Sequence, residues 1–266
     1  MAKVTIKDIL NRKRKGGGKI TALTAYDFPF AKLIDEVGMD IVLVGDSLGM
    51  VCLGYETTLP VTMNDMLHHL KAVVRAVKCA LIVADMPYGS YRNVNIALRN
   101  AREFLKAGAQ AVKLEGGRGV FNQVKALIRA GIPVMGHLGM LPQSIRKLGG
   151  YKVQGKTKEE ADRIYEEALE LEEAGIFSVV LECVPVSLAK RITKSLQIPT
   201  IGIGAGPDTD GQVLVLHDLL GFESPVHPRF VRRYGSLDRL IRKALSQYRD
   251  DVLNGKFPSL KESFQG

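Results

Sequence analysis

Apolar and polar positions fall into two alternating patterns along this chain. Short, nearly continuous runs of aliphatic and β-branched residues recur at regular intervals. Between them lie longer polar stretches with apolar residues three and four apart. The runs ITALTAYD (20–27), IVLVGDS (41–47), ALIVADMP (80–87), AQAVKLEGG (109–117), IPVMGHLG (132–139), FSVVLECVP (177–185) and IPTIGIGAG (198–206) read as strands. QVLVLHDLLG (212–221) is an eighth candidate, although its apolar run could also open a helix. Helices are expected over FAKLIDEVG after the first strand, over TMNDMLHHLKAVVRAVK after the second, and near 92–107, 120–130, 157–174 and 236–253, with a short one ending near Ser195. The second of these follows Pro60 and opens on Thr62 with Asp65 three residues on, a start resembling a capping box.

Strands apolar on both faces are buried on both faces, which implies parallel pairing under a cover of helices. Right-handed crossovers then close seven or eight βα units into a (β/α)₈ TIM-type barrel. An open doubly wound sheet is the alternative. The 266 residues match the roughly 250 of a single barrel domain. No Pro/Ser-rich linker divides them, so residues 1–266 read as one domain led by a basic, flexible segment near 1–19.

Composition narrows the class. The hydrophobic fraction of 46% and charged fraction of 24% are those of an ordinary globular protein. No apolar run approaches the roughly 20 residues that span a bilayer, and the first residues lack the apolar core of a signal peptide. Cys52, Cys79 and Cys183 are odd in number and lack CxxC spacing, which fits a reducing, cytoplasmic setting without zinc or disulfides. The net charge of +9 gathers in RKRKGGGK (12–19) and PRFVRRY (228–234). These segments lack interleaved aromatics and any nucleic-acid module, so they read as a solvated tail and a basic surface. Small-molecule substrates are therefore expected, with neither nucleic acid nor membrane as partner. GIGAG at 202–206 has Pro207 where a dinucleotide fingerprint needs glycine.

Candidate chemistry lies at the strand ends. Asp46, Asp85 and Glu115 each close an apolar run, at the C-terminal mouth where barrel active sites form. Singly, each could merely cap the next helix; three hard oxygen ligands from successive units suit a Mg²⁺-type ion. Lys113 lies two residues before Glu115 and so on the same strand face, placed to neutralise an anionic substrate or to form a structural ion pair. Ser47 follows Asp46 and can donate a hydrogen bond beside the metal, or cap a turn. His137, between glycines, is a candidate substrate contact. Glu182 is a fourth strand-end acid, a further ligand or a general base. His68 and His69 are adjacent on a helix and cannot share a metal face.

At this point a resemblance covers nearly the whole chain. The blocks TAYDFPFAKLIDEVGMD, VLVGDSLGMVCLGYETTLPVT, ADMPYGSY, AVKLEGG, GHLGMLPQS, GGYKVQGKT, LECVP and IGIGAGPDTDGQVLVLHDLLG, in this order between about residues 19 and 235, resemble the ketopantoate hydroxymethyltransferase family. One departure is Met140-Leu141, where the family more usually has Leu-Thr. The resemblance implies a barrel of the phosphoenolpyruvate mutase/isocitrate lyase kind, with one Mg²⁺ per subunit near Asp46, Asp85 and Glu115. It implies 3-methyl-2-oxobutanoate bound by Asp46, Ser47, Asp85 and Lys113, Glu182 as proton acceptor and His137 near the substrate. The implied one-carbon donor is 5,10-methylenetetrahydrofolate, the product ketopantoate, and the assembly a homodecamer. Two rivals are a C–C lyase of the same superfamily acting on another 2-oxo acid, and a basic nucleic-acid-binding barrel.

Overall fold

The structure, a computed structural model, describes residues 2–144, 152–222 and 228–264. The chain gathers into two compact units, Met1–Val215 and Leu216–Gly266. The first holds a closed barrel of eight parallel strands in sequence order: β1 (Ile20–Thr24), β2 (Ile41–Val44), β3 (Leu81–Asp85), β4 (Ala111–Glu115), β5 (Val134–Gly139), β6 (Ser178–Glu182), β7 (Thr200–Ile203) and β8 (Gly211–Leu214). β8 pairs with β1 to close the ring. The (β/α)₈ expectation is met, and the sheet has no free edge.

Eight helices accompany the strands among the described residues of this unit: α1 (Ile6–Arg14), α2 (Phe28–Glu36), α3 (Leu48–Val51), α4 (Met63–Ala76), α5 (Val94–Lys106), α6 (Phe121–Arg129), α7 (Lys158–Ala174) and α8 (Val186–Ser195). Their starts are set by local chemistry. Asp27, Asn93 and Thr157 accept N–H bonds as N-caps of α2, α5 and α7, and Thr62 with Asp65 forms a full capping box on α4. The second unit carries α9 (Leu216–Leu220) and α10 (Leu237–Leu253). The run 212–221, read as a possible eighth strand, is thus divided: its first part is strand and its second part helix. His217-Asp218-Leu219-Leu220 can close a helical turn, whereas no further partner residues extend the β7–β8 ladder beyond Gly202–Gln212.

The barrel interior is layered. Inward positions repeat every second residue along a strand. The lower layers are apolar: Ile20, Ile41, Leu81, Ala111, Met135 and Val180 belong to one buried cluster. On four of the strands the same inward side turns polar two residues past its last apolar member. Asp85 follows Val83, Lys113 follows Ala111, His137 follows Met135 and Glu182 follows Val180. The floor is closed from below by α1. Ile9 is fully buried in the same cluster, the Val4 N–H donates to the Cys79 carbonyl, Arg12 pairs with Asp40 at 2.7 Å and Lys13 with Asp210 at 2.8 Å. The segment near 1–19 is therefore more than a basic flexible lead. Thr5 and Asp8 cap a helix whose apolar face seals the barrel.

Candidate active site at the C-terminal mouth of the barrel

β2 ends at Val44, and the chain turns through Gly45 into Asp46, which is buried. A side chain at Gly45 would meet Ser47 Oγ at 2.9 Å, so glycine permits this tight exit. Ser47 stands before α3 without capping it; its hydroxyl lies 2.8 Å from Tyr26 Oη instead. Strand register does the next step. Asp85 of β3 is directly opposite Lys113 of β4, and Glu115 of β4 opposite His137 of β5. Lys113 Nζ donates to Asp85 Oδ2 at 2.6 Å. His137 stands between two acids: Nε2 is 3.1 Å from Glu182 Oε2 and Nδ1 is 3.6 Å from Glu115 Oε1, neither aligned as a hydrogen bond.

A residue on the loop after β5 completes the cluster. Gln143 donates its backbone N–H to Glu115 Oε2 (3.0 Å) and its side-chain amide to Asp46 Oδ2 and to the Met86 carbonyl (2.9 Å each). The Tyr91 hydroxyl donates to Gln143 Oε1 at 2.5 Å. Asp46, Asp85, Lys113, Glu115, His137 and Glu182 thus converge on one mouth, with Ser47 at its edge against Tyr26.

Burial governs the charges. It raises the Asp46 carboxyl well above the usual carboxylate range, reinforced by the charges of Asp85 and Glu115. It raises Asp85 too, against the pull of Lys113. Glu115 is pushed up to about 7 by burial, with Lys113 and the Gln143 N–H opposing. Burial alone would lower Lys113, but Asp85, Glu115 and Asp46 outweigh it and hold the ammonium above its usual range. Burial and Lys113 lower His137, so its ring is neutral near pH 7 in spite of Glu182. Burial pushes the Cys183 thiol up to about 12, helped by Glu182 beside it, which leaves the thiol protonated and a poor nucleophile. A separate groove of about 640 Å³, lined by Ile6, Leu10 and Phe177 among others, opens at the other end of the barrel and contains none of these groups.

Residues 3–260 match the family model described as ketopantoate hydroxymethyltransferase. The chain belongs to that family. A 3-methyl-2-oxobutanoate hydroxymethyltransferase of Syntrophus aciditrophicus (strain SB) is 58% identical over 264 residues, covering 98% of this chain and 97% of its own length. Another of that name, from Moorella thermoacetica, is 54% identical and covers 99% and 98%. Among solved structures, 2,3-dimethylmalate lyase, described as a member of the PEP mutase/isocitrate lyase superfamily, superposes with a TM-score of 0.65 at 15% identity, covering 98% of this chain and 89% of that one. At that identity the likeness concerns the fold, and it matches the barrel kind expected from the sequence. Membership makes this chain a hydroxymethyltransferase.

The hydroxymethyltransferase mouth suits a hard cation by its donors. Three carboxylates face one ammonium, and two buried carboxylate oxygens, Asp85 Oδ1 and Glu115 Oε1, have no hydrogen-bond partner. Among the described residues no three His, Cys, Asp or Glu side chains stand as a ready-made metal cage. Lys113 holds one oxygen of Asp85, and Gln143 holds one each of Asp46 and Glu115. Gln143 and Tyr91 are the site residues that sequence reasoning missed. Both lie in blocks quoted above, PQS and PYGSY, but on loops, where no periodicity says which way a side chain points. Two backbone features frame Glu182. Gly139 has φ +97° and a side chain there would come within 2.2 Å of the Glu182 carbonyl, while Cys183 holds the left-handed region at φ 47° without being glycine.

Proposed function

We propose that this enzyme transfers a hydroxymethyl group from 5,10-methylenetetrahydrofolate to 3-methyl-2-oxobutanoate, giving ketopantoate, with one Mg²⁺ per subunit near Asp46, Asp85 and Glu115. The observation that carries the reading is the buried mouth itself, where three acidic side chains converge on one ammonium and two of their oxygens lack partners. Buried charge without compensation costs several kcal/mol per ion, so the site calls for a cation. A divalent ion bound there would polarise the ketone oxygen and stabilise negative charge developing on it.

This chain's residues supply the rest. Lys113, kept charged by its acidic neighbours, balances the substrate carboxylate, and Asp46, Ser47 and Asp85 are the further substrate contacts that the family resemblance implies. Glu182 accepts the proton from C3 of the 2-oxo acid. Neutral His137 stands beside that carboxylate, with Nε2 3.1 Å from Glu182 Oε2. The C3 carbanion then attacks the one-carbon unit, and water supplies the hydroxyl as tetrahydrofolate leaves. The reading extends to a cytoplasmic homodecamer acting on small molecules. No described helix is long and apolar enough to cross a membrane. The family resemblance and the exposed apolar side chains of α10, Leu240, Leu245 and Leu253 among them, support assembly with further copies.

Deuterium exchange separates proton abstraction from transfer. Wild-type enzyme with the 2-oxo acid and Mg²⁺ in D₂O should exchange the C3 proton without any folate. Glu182→Gln keeps the shape but cannot accept the proton, and loss of a general base costs about 10²–10⁴ in rate. Exchange at the wild-type rate in that variant, followed by NMR, would remove Glu182 from the role. Absence of exchange in the wild type, together with no turnover on adding the folate, would favour a related C–C lyase acting on another 2-oxo acid.

A further inference from the structure

Gln143 is buried and sits in a short 3₁₀ turn, Pro142–Ser144, on the loop leaving β5. Its polar groups all point into the mouth. The backbone N–H and one side-chain N–H reach two different carboxylates, Glu115 and Asp46; the other side-chain N–H reaches the Met86 carbonyl; and the amide oxygen accepts from Tyr91. The orientation of the amide is decided by its neighbours. Turned the other way, Oε1 would face the Met86 carbonyl, an acceptor with nothing to donate. Tyr91, whose hydroxyl also lies 3.4 Å from the Glu115 carbonyl, fills the opposite side.

We propose that Gln143 is a positioning residue: it clamps Asp46 and Glu115 by one oxygen apiece against their mutual repulsion, and so sets how these two acids are presented to a divalent cation. The inference rests on the metal-assisted reading above and deepens it. Lys113 does the same for Asp85, so each of the three acids has one oxygen held by a donor of this chain. For Asp85 and Glu115 the remaining oxygen is the unpartnered one. The loop does not need the Gln143 side chain to stay in place, because the next anchor is independent. Met140 N–H donates to the Glu182 carbonyl at 2.9 Å. Removing the side-chain amide therefore loosens Asp46 directly, while the backbone N–H keeps its bond to Glu115 and the loop its anchor, which is how outer-shell partners act on metal ligands.

The test is Mn²⁺ binding to metal-stripped, full-length protein, followed by the electron paramagnetic resonance of free Mn²⁺. It compares the wild type with Gln143→Met, which fills the same space without hydrogen bonds, and with Tyr91→Phe, which frees the amide oxygen. The expected result is a Kd raised about 10–100-fold in Gln143→Met, with a smaller rise in Tyr91→Phe. Steady-state rates should show kcat recovering at saturating Mn²⁺ in both, a signature that a purely structural role would not produce. Wild-type Mn²⁺ affinity in a folded Gln143→Met overturns the inference. Should that variant not fold, unchanged affinity in Tyr91→Phe overturns it equally. A wild type that binds no Mn²⁺ at all defeats the metal-assisted reading itself, and is told apart by that.

Discussion

Replacing Lys113 by Met is the sharpest single test of how the mouth balances charge. The ammonium lies 2.6 Å from Asp85 Oδ2, with both side chains almost wholly buried. At that separation the Coulomb attraction is about 6 kcal/mol for an effective dielectric of about 20. Part of it is offset by the cost of taking both charges out of water, and breaking a buried pair in other proteins costs about 3–5 kcal/mol. Here the folded state has a way to soften the loss. Glu115 already sits at about 7, and burial raises Asp46 and Asp85 as well. Without the ammonium these acids take up protons near neutral pH, so the variant should fold with only a modest fall in melting temperature. Catalysis has no such escape, because a substrate carboxylate then enters a site with no cation of the protein's own. The expected loss is about 2–5 kcal/mol, or about 30- to 5,000-fold in kcat/KM, carried mainly by KM. Initial rates against 3-methyl-2-oxobutanoate, beside thermal melts, measure it. Wild-type kinetics in a destabilised variant would show that Lys113 is only a structural partner of Asp85, and the charge-balance reasoning would fail.

Two further outcomes follow from the same geometry. Glu115 has a folded-state pKa raised from 4.5 to about 7, so the native state holds its proton more tightly than the unfolded chain. Metal-stripped protein should lose stability as pH rises from about 4.5 to 7, by at most about 3 kcal/mol from this group, and Mg²⁺ should flatten the profile; a melting temperature in EDTA that does not fall over this window would contradict it. Ile9→Ala, in the fully buried floor of the barrel, should cost about 2–5 kcal/mol in urea unfolding while leaving KM near wild type, since Ile9 belongs to the apolar floor cluster and not to the mouth.

Much of this protein was decided locally and could be read along the chain. A continuous apolar run demands burial on both faces, a capping box starts a helix from four residues, and period-two alternation puts Lys113 and Glu115 on one side of β4 without knowledge of the rest. Strand-end acids Asp46, Asp85, Glu115 and Glu182 are visible for the same reason. What the sequence left open depends on closure. Only the register of neighbouring strands sets Asp85 against Lys113 and Glu115 against His137. The apolar stripe of α1 was hidden behind the charge run RKRK until the barrel floor gave Ile9 a place to go. The run after Leu214 is helix, past the last partners of β8 on both β7 and β1. Gln143 and Tyr91 stand on loops, where side-chain direction follows from the packed surroundings and not from any repeat. Period and capping are properties of a few consecutive residues. Partner choice, charge balance and the aim of a loop amide are properties of the closed barrel, and exist only once distant strands have met.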